Sequence, residues 1–133
     1  MDKKIVCVTG ANGFIGSHLV RELLLRGHEV RATVRNAKDP KKIDHLKKLA
    51  DELGAGERLS FWSADLLQPG DFDDVVKGAS WVCHVASAVI LTAKDPQREI
   101  VDVAVKGTEN VLSVVEKAGS VKTVGLTSSI VAI

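Results

Sequence analysis

The 133-residue sequence contains no tyrosine, and its aromatic content is only 4%. A phenolic proton donor is therefore excluded from any chemistry this stretch performs unaided. Cysteine is scarce too: Cys7 and Cys83 are the two in the chain. They sit in separate apolar runs without Cys-x-x-Cys spacing, which reads as two reduced, buried thiols rather than a redox pair. The compartment expected from that usage is the cytoplasm. The four histidines, His18, His28, His45 and His84, are scattered without metal-ligand spacing, so no metal is expected. His18 and His84 read as packed or hydrogen-bonded structural residues. No glycine-flanked serine elbow is present, which removes a Ser–His–Asp hydrolase. No apolar run approaches the roughly 20 residues of a membrane span. Met1-Asp2-Lys3-Lys4 leads straight into a short apolar strand with no cleavage site after it, unlike a secretory signal. A formal net charge of +1 gives no argument for nucleic acid or an anionic membrane as partner.

What is present suits one soluble domain: 45% of residues are hydrophobic and 26% charged. Ile5–Val8 is a β-branched run ending at Thr9-Gly10 and reads as a buried parallel strand. A helix is expected from Gly13 to Arg26, closed by Gly27. Glu29–Val34 reads as a second strand. A surface helix is expected over Lys38–Leu53, with Ile43, Leu46, Leu49 and Leu53 as its stripe and an Asp44–Lys48 pair on its face. Leu59–Ser63 reads as a third strand. A short helix follows from Gly70 to Val76, then a fourth strand over Trp81–Val85. The longest helix is expected from Pro96 to Ala118, and a fifth strand over Val121–Thr127. Five strands alternating with helices form a doubly wound parallel α/β sheet, whose expected spatial order is 3-2-1-4-5. The apolar end Ile130–Ile133 reads as a cut through a larger fold after the fifth strand. Residues 1–133 would then be an incomplete dinucleotide-binding domain without its substrate-binding portion. The open fifth-strand edge would invite self-association.

The loop Gly10-Ala11-Asn12-Gly13-Phe14-Ile15-Gly16 lies between the first strand and its helix. There it can bring a pyrophosphate to a helix amino terminus, where backbone N–H groups and the helix dipole favour negative charge. A NAD-specific site places an acid at the end of the second strand. Here Val34 is followed by Arg35, with Lys38, Lys41 and Lys42 nearby. An arginine can pair with a ribose 2′-phosphate, whereas an acid would repel it. NADP(H) is thus favoured over NAD(H), although Arg35 taken alone also reads as a solvated surface residue.

The Gly-x-x-Gly-x-x-Gly spacing within Thr9–Gly16, "TGANGFIG", resembles the extended branch of the short-chain dehydrogenase/reductase superfamily, a Rossmann fold. "VRATVRN" (30–36), "ADL" (64–66), "HVAS" (84–87), "AVKGTENVL" (104–112) and "LTSS" (126–129) follow in order. Together they resemble the amino-terminal portion of the dihydroflavonol reductase and cinnamoyl-CoA reductase group. The resemblance implies that Gly10, Gly13, Phe14, Ile15 and Gly16 hold the pyrophosphate, and that Arg35 and Lys42 hold the adenosine phosphate. Asp65 and Leu66 would flank the adenine. Val85, Ala86 and Ser87 would pass the ribose and nicotinamide side. Ser129 would be the catalytic serine, with Ser128 the weaker candidate. Without the resemblance, Thr127-Ser128-Ser129 reads equally as polar residues ending a strand. Val89, Ile90 and Leu91 read as either a pocket wall or core.

Two positions depart from related patterns. Sugar-nucleotide epimerases of the extended branch usually carry asparagine where Ala104 stands, which suits the reductases better. Asn36 stands where the reductase group often has aspartate. The larger departure is the family's Tyr-x-x-x-Lys, which has no counterpart here. The implied activity is NADP(H)-dependent reduction of a small-molecule carbonyl, whether aldehyde, ketone or acyl thioester. The alternatives are an NAD-dependent epimerase/dehydratase or a hydroxysteroid dehydrogenase-like member. A module that senses NADP(H) without catalysis belongs to another class.

Overall fold

A computed structural model describes residues 2–86 and 94–129. The expectations placed on Ser87, on Val89–Leu91 and on the tail 130–133 lie outside the described residues.

Alternation along the first strand sets the layers. In β1 (Ile5–Thr9), Val6 and Val8 face one helical layer and Cys7 the other, and all three are fully buried. A strand covered on both faces reads as a continuous apolar run, as this one does. Its neighbours are β2 (Glu29–Val34) on one side and β4 (Trp81–His84) on the other. β3 (Leu59–Ser63) and β5 (Thr123–Leu126) lie outermost. Every pairing is parallel and the order is β3-β2-β1-β4-β5, as expected.

The helices α1 (Phe14–Leu25) and α2 (Pro40–Glu52) cover one face through Val20, Leu23, Leu24, Leu46 and Ala50. The helices α3 (Asp73–Val76) and α4 (Asp102–Ala118) cover the other through Val75, Val76, Val111 and Val114. α1 ends in a Schellman arrangement: Gly27 N donates to Leu24 O at 3.1 Å and His28 N to Leu23 O at 3.0 Å. α2 starts later than Lys38 because Asp39 caps it, accepting from Lys41 N at 3.0 Å with Pro40 in the first turn.

Several expected boundaries shift. The long helix does not run unbroken from Pro96: a π-helical turn at Gln97–Val101 precedes α4. Asp95 accepts from Arg98 N, while the Glu99 carboxylate reaches back to Asp95 N at 2.8 Å. That reciprocal cap spans one residue more than the usual capping box and suits the wider turn. β4 stops at His84, because the N–H groups of Val85 and Ala86 turn to a side chain instead of a neighbouring strand. β5 is shorter than Val121–Thr127. Lys122 N is taken by Ser80 O at 2.7 Å, which leaves Thr123–Leu126 as the ladder. The expected Asp44–Lys48 pair does not form. Among the described residues the one ion pair is Arg21–Glu22, since exposed ion pairs gain little against side-chain entropy.

Candidate functional site

Each expected site residue among the described residues follows the carboxyl end of a strand or opens the helix behind it, at the edge where open α/β sheets bind ligands. After β1 the chain turns at Gly10, whose φ of 64° lies in the left-handed region. Gly13 N donates to Gly10 O at 3.2 Å, and Ala11 N ties the loop to Thr33 O of β2. Gly16 is buried directly against the Gly10 carbonyl, with no room for a side chain. α1 begins with Gly13 at its cap position, so no side chain accepts from the first-turn N–H groups. Phe14 and Ile15 are 82% and 58% exposed. An uncapped helix end beneath a glycine turn fits a pyrophosphate.

Beyond β2, Val34 is buried while Arg35 is exposed. The following turn is held by Asn36 Oδ1, which accepts from Lys38 N at 3.0 Å, and by Ser63 Oγ, which accepts from Ala37 N at 2.8 Å. Lys42 is exposed in the first turn of α2. Arg35 and Lys42 belong to no ion pair among the described residues, so their charges remain available to an anion. Past β3, the Asp65 carboxylate accepts from Leu67 N at 2.9 Å and Asp65 N donates to Asp71 Oδ2 at 2.9 Å. Ser128 and Ser129 follow β5 and are exposed. Thr127 N joins that segment to His84 O at 3.1 Å.

Sequence reasoning passed over Thr9, which joins these loops. Its buried Oγ1 accepts from Val85 N and from Ala86 N, each at 3.0 Å, and lies 2.8 Å from His84 Nδ1. Two acceptances occupy both lone pairs, so the hydroxyl proton goes to Nδ1. The His84 ring proton therefore sits on Nε2, facing Thr108 Oγ1 at 3.4 Å. A methyl built at Gly10 would meet Ala86 Cα at 2.8 Å. Thr9 thus fixes the Val85–Ala86 segment against the glycine loop. A hydroxyl at the last position of a buried apolar strand was the available signal.

Arg31 and Arg58 were also missed. Arg31 donates to the carbonyls of Val75 and Lys77 at the end of α3 and lies over the Trp62 ring at 5.8 Å. Arg58 donates to Leu24 O and His28 O. Burial pushes the Cys7 thiol up to about 12 and raises Cys83 as well, so both remain thiols at neutral pH. His18, expected to be structural, is exposed on α1 with its ring against Phe14. A groove of about 360 Å³ between α1 and α2, lined by His18, His45 and Lys48 among others, contains none of the expected site residues.

His28 and His84 make stability pH-dependent. Burial lowers both pKa values below 6.5; for His28 the charges of Arg26, Lys4 and Arg58 add to it. Above the unfolded value both states are neutral and nothing changes. As pH falls below about 6.5, the unfolded chain takes up protons the native chain refuses, and stability falls by up to about 1.4 kcal/mol per pH unit for each histidine. Thermal melts at pH 7 and pH 5 should show the loss, and His84→Asn should remove part of the slope. Equal midpoints at both pH values would contradict the assignment of neutral buried rings.

Residues 7–133 match the 3-beta hydroxysteroid dehydrogenase/isomerase family. The chain is 55% identical over 129 residues to a cinnamoyl-CoA reductase of Medicago truncatula, a match covering 97% of this chain and 39% of that protein. It is 44% identical over 128 residues to a dihydroflavonol 4-reductase of Zea mays, covering 96% and 35%. The structure of Gre2 from Candida albicans in complex with NADPH aligns with a TM-score of 0.83 at 33% identity, covering 98% of this chain and 38% of that one. The chain therefore spans under two fifths of the length of each of these proteins. No helix among the described residues is long and apolar enough to cross a membrane. The chain belongs to the 3-beta hydroxysteroid dehydrogenase/isomerase family, within the short-chain dehydrogenase/reductase superfamily, and is similar to the dihydroflavonol and cinnamoyl-CoA reductases over nearly its whole length.

Proposed function

We propose that this chain is the NADP(H)-binding portion of an oxidoreductase that reduces a small-molecule carbonyl. The observation that carries the cofactor choice is the end of β2. Val34 is buried where a NAD-specific site would hold an acid, and Arg35 stands exposed beside it. When bound, the dinucleotide supplies the hydride from its nicotinamide ring. The chain's own residues bind and orient it. Gly10, Gly13, Phe14, Ile15 and Gly16 offer backbone to the pyrophosphate. Arg35 and Lys42 take the 2′-phosphate, and the Asp65 carboxylate accepts from the adenine amino group while Leu66 lies against the base. Val85, Ala86 and Ser87 border the ribose and nicotinamide. Ser129, in preference to Ser128, donates a hydrogen bond to the substrate carbonyl.

Arg35→Ala tests the reading. A charge-assisted hydrogen bond is worth about 1.5–3 kcal/mol, so calorimetric titration should find NADPH bound roughly ten to a hundred times more tightly than NADH. The variant should lose most of that ratio. Full retention would remove Arg35 from the clamp, and a wild-type preference for NADH would overturn the cofactor reading.

The family matched by residues 7–133 favours a second reading, a hydroxysteroid dehydrogenase-like member. Oxidation of a steroid alcohol with NAD as the preferred acceptor would select it. Ala104 and the absent acid after β2 speak against an NAD-dependent sugar-nucleotide epimerase.

A further inference from the structure

The Asp65–Leu66 turn touches α4 at two points one helical turn apart. Gly107 is buried, and a methyl built there would meet Leu66 Cβ at 3.1 Å and its Cδ atoms at 3.2 Å. Three residues on, along the same face, Asn110 Nδ2 donates to Leu66 O at 2.6 Å. The other hydrogen bonds of the turn, Leu67 N to Asp65 Oδ1, Asp65 N to Asp71 Oδ2 and Gln68 N to Asp65 O, are local. Local bonds fix the shape of the turn. The bond from α4 fixes its place relative to the helix that packs beside β4.

We propose that Asn110 is a positioning residue for adenine recognition. It pins the Leu66 carbonyl so that the neighbouring Asp65 carboxylate stays where the base edge arrives, and Gly107 leaves the space that lets Leu66 come that close. This rests on the reading of Asp65 as acceptor for the adenine amino group. A carboxylate at position 110 would face the Leu66 carbonyl with no proton to offer. A methyl at position 107 would push the same turn outward by another route.

The experiment compares binding of NADPH with that of reduced nicotinamide hypoxanthine dinucleotide phosphate, in which a carbonyl replaces the amino group. The wild-type chain should prefer adenine about tenfold or more, because Asp65 gains a hydrogen bond with one base and meets a carbonyl with the other. Asn110→Asp should move the ratio of dissociation constants toward one. A merely structural role would weaken both ligands equally and leave the ratio intact, which would overturn the proposal. If wild type itself shows no preference, the Asp65 reading falls and this proposal with it. Should Asn110→Asp fail to fold by circular dichroism, Gly107→Ala reads the same ratio, and an unchanged ratio there is equally decisive against the proposal.

Discussion

Assayed alone with NADPH and a panel of aldehydes, the 133-residue chain should oxidise the cofactor no faster than the uncatalysed mixture. Hydride delivery to a carbonyl builds an alkoxide, and that oxygen needs a proton as the charge develops. The superfamily resemblance assigns this task to the tyrosine of Tyr-x-x-x-Lys, and the sequence contains no tyrosine. Ser129 is exposed after β5, but an aliphatic hydroxyl is too weak an acid to replace the phenol. The histidine at this edge is no substitute. His84 is buried, its Nδ1 accepts from Thr9, and burial lowers its pKa, so it holds no spare proton near neutrality. Loss of general acid catalysis alone costs about 10²–10⁴-fold, and loss of substrate positioning costs more. In a longer chain that supplies Tyr-x-x-x-Lys after Ser129, turnover should be measurable. There Ser129→Ala should lower it by about 10²–10³, the usual cost of deleting one donor to a developing oxyanion, while Ser128→Ala should do much less. The measurement is NADPH absorbance with both chains. Robust turnover by the 133 residues alone would sink the catalytic roles given to Ser129 and to the missing phenol.

The reading of fold from sequence worked where local pattern carries the information. Ile5–Val8, the glycine loop and the amphipathic helices each declare themselves over a few residues, and right-handed crossovers then order the strands. It failed where a long-range hydrogen bond decides the outcome. The end of β4 depends on Thr9, some 75 residues earlier in the chain, and the start of β5 depends on the Ser80 carbonyl. Neither is visible in periodicity. The π-turn before α4 depends on a cap built from Asp95 and Glu99, whose spacing is one residue off the familiar box. The candidate site divides in the same way. The glycines and Arg35 are candidates because their chemistry suits a dinucleotide, and Asp65 is one through the family resemblance. Thr9, Gly107 and Asn110 were not legible in the sequence, because they act on other protein groups. Gly107 did leave a sign: a glycine inside a helix costs about 1 kcal/mol relative to alanine. Its reason is the close approach of Leu66.

Gly16→Ala should weaken dinucleotide binding at least about a hundredfold with a comparatively modest loss of stability. The added methyl would overlap the Gly10 carbonyl oxygen and stand 3.0 Å from Ala11 Cα. Both neighbours are backbone, so neither can swing aside as a side chain would. The strain is relieved only by moving the amino end of α1 away from the loop. That end is where the uncapped N–H groups lie, and the loop is pinned on its other side, since Gly10 packs against Ala86, which Thr9 holds. Overpacking of this kind costs about 1–3 kcal/mol. At this chain length that lowers the melting midpoint by roughly 3–6 °C per kcal/mol. Binding suffers more, because charge-assisted hydrogen bonds of about 1.5–3 kcal/mol each depend on the same N–H groups. Losing two of them weakens NADPH by at least about a hundredfold. Gly54→Ala is the matched control. Unlike Gly16, Gly54 has a left-handed φ, 66°, but nothing lies within 4 Å of the added methyl and the residue sits beyond the carboxyl end of α2. That variant should lose about 1–2 kcal/mol of stability and bind NADPH as the parent does. Calorimetry and thermal melts on both variants separate the two costs. If Gly16→Ala bound NADPH within a few-fold of wild type, the phosphates would not sit at the amino terminus of α1.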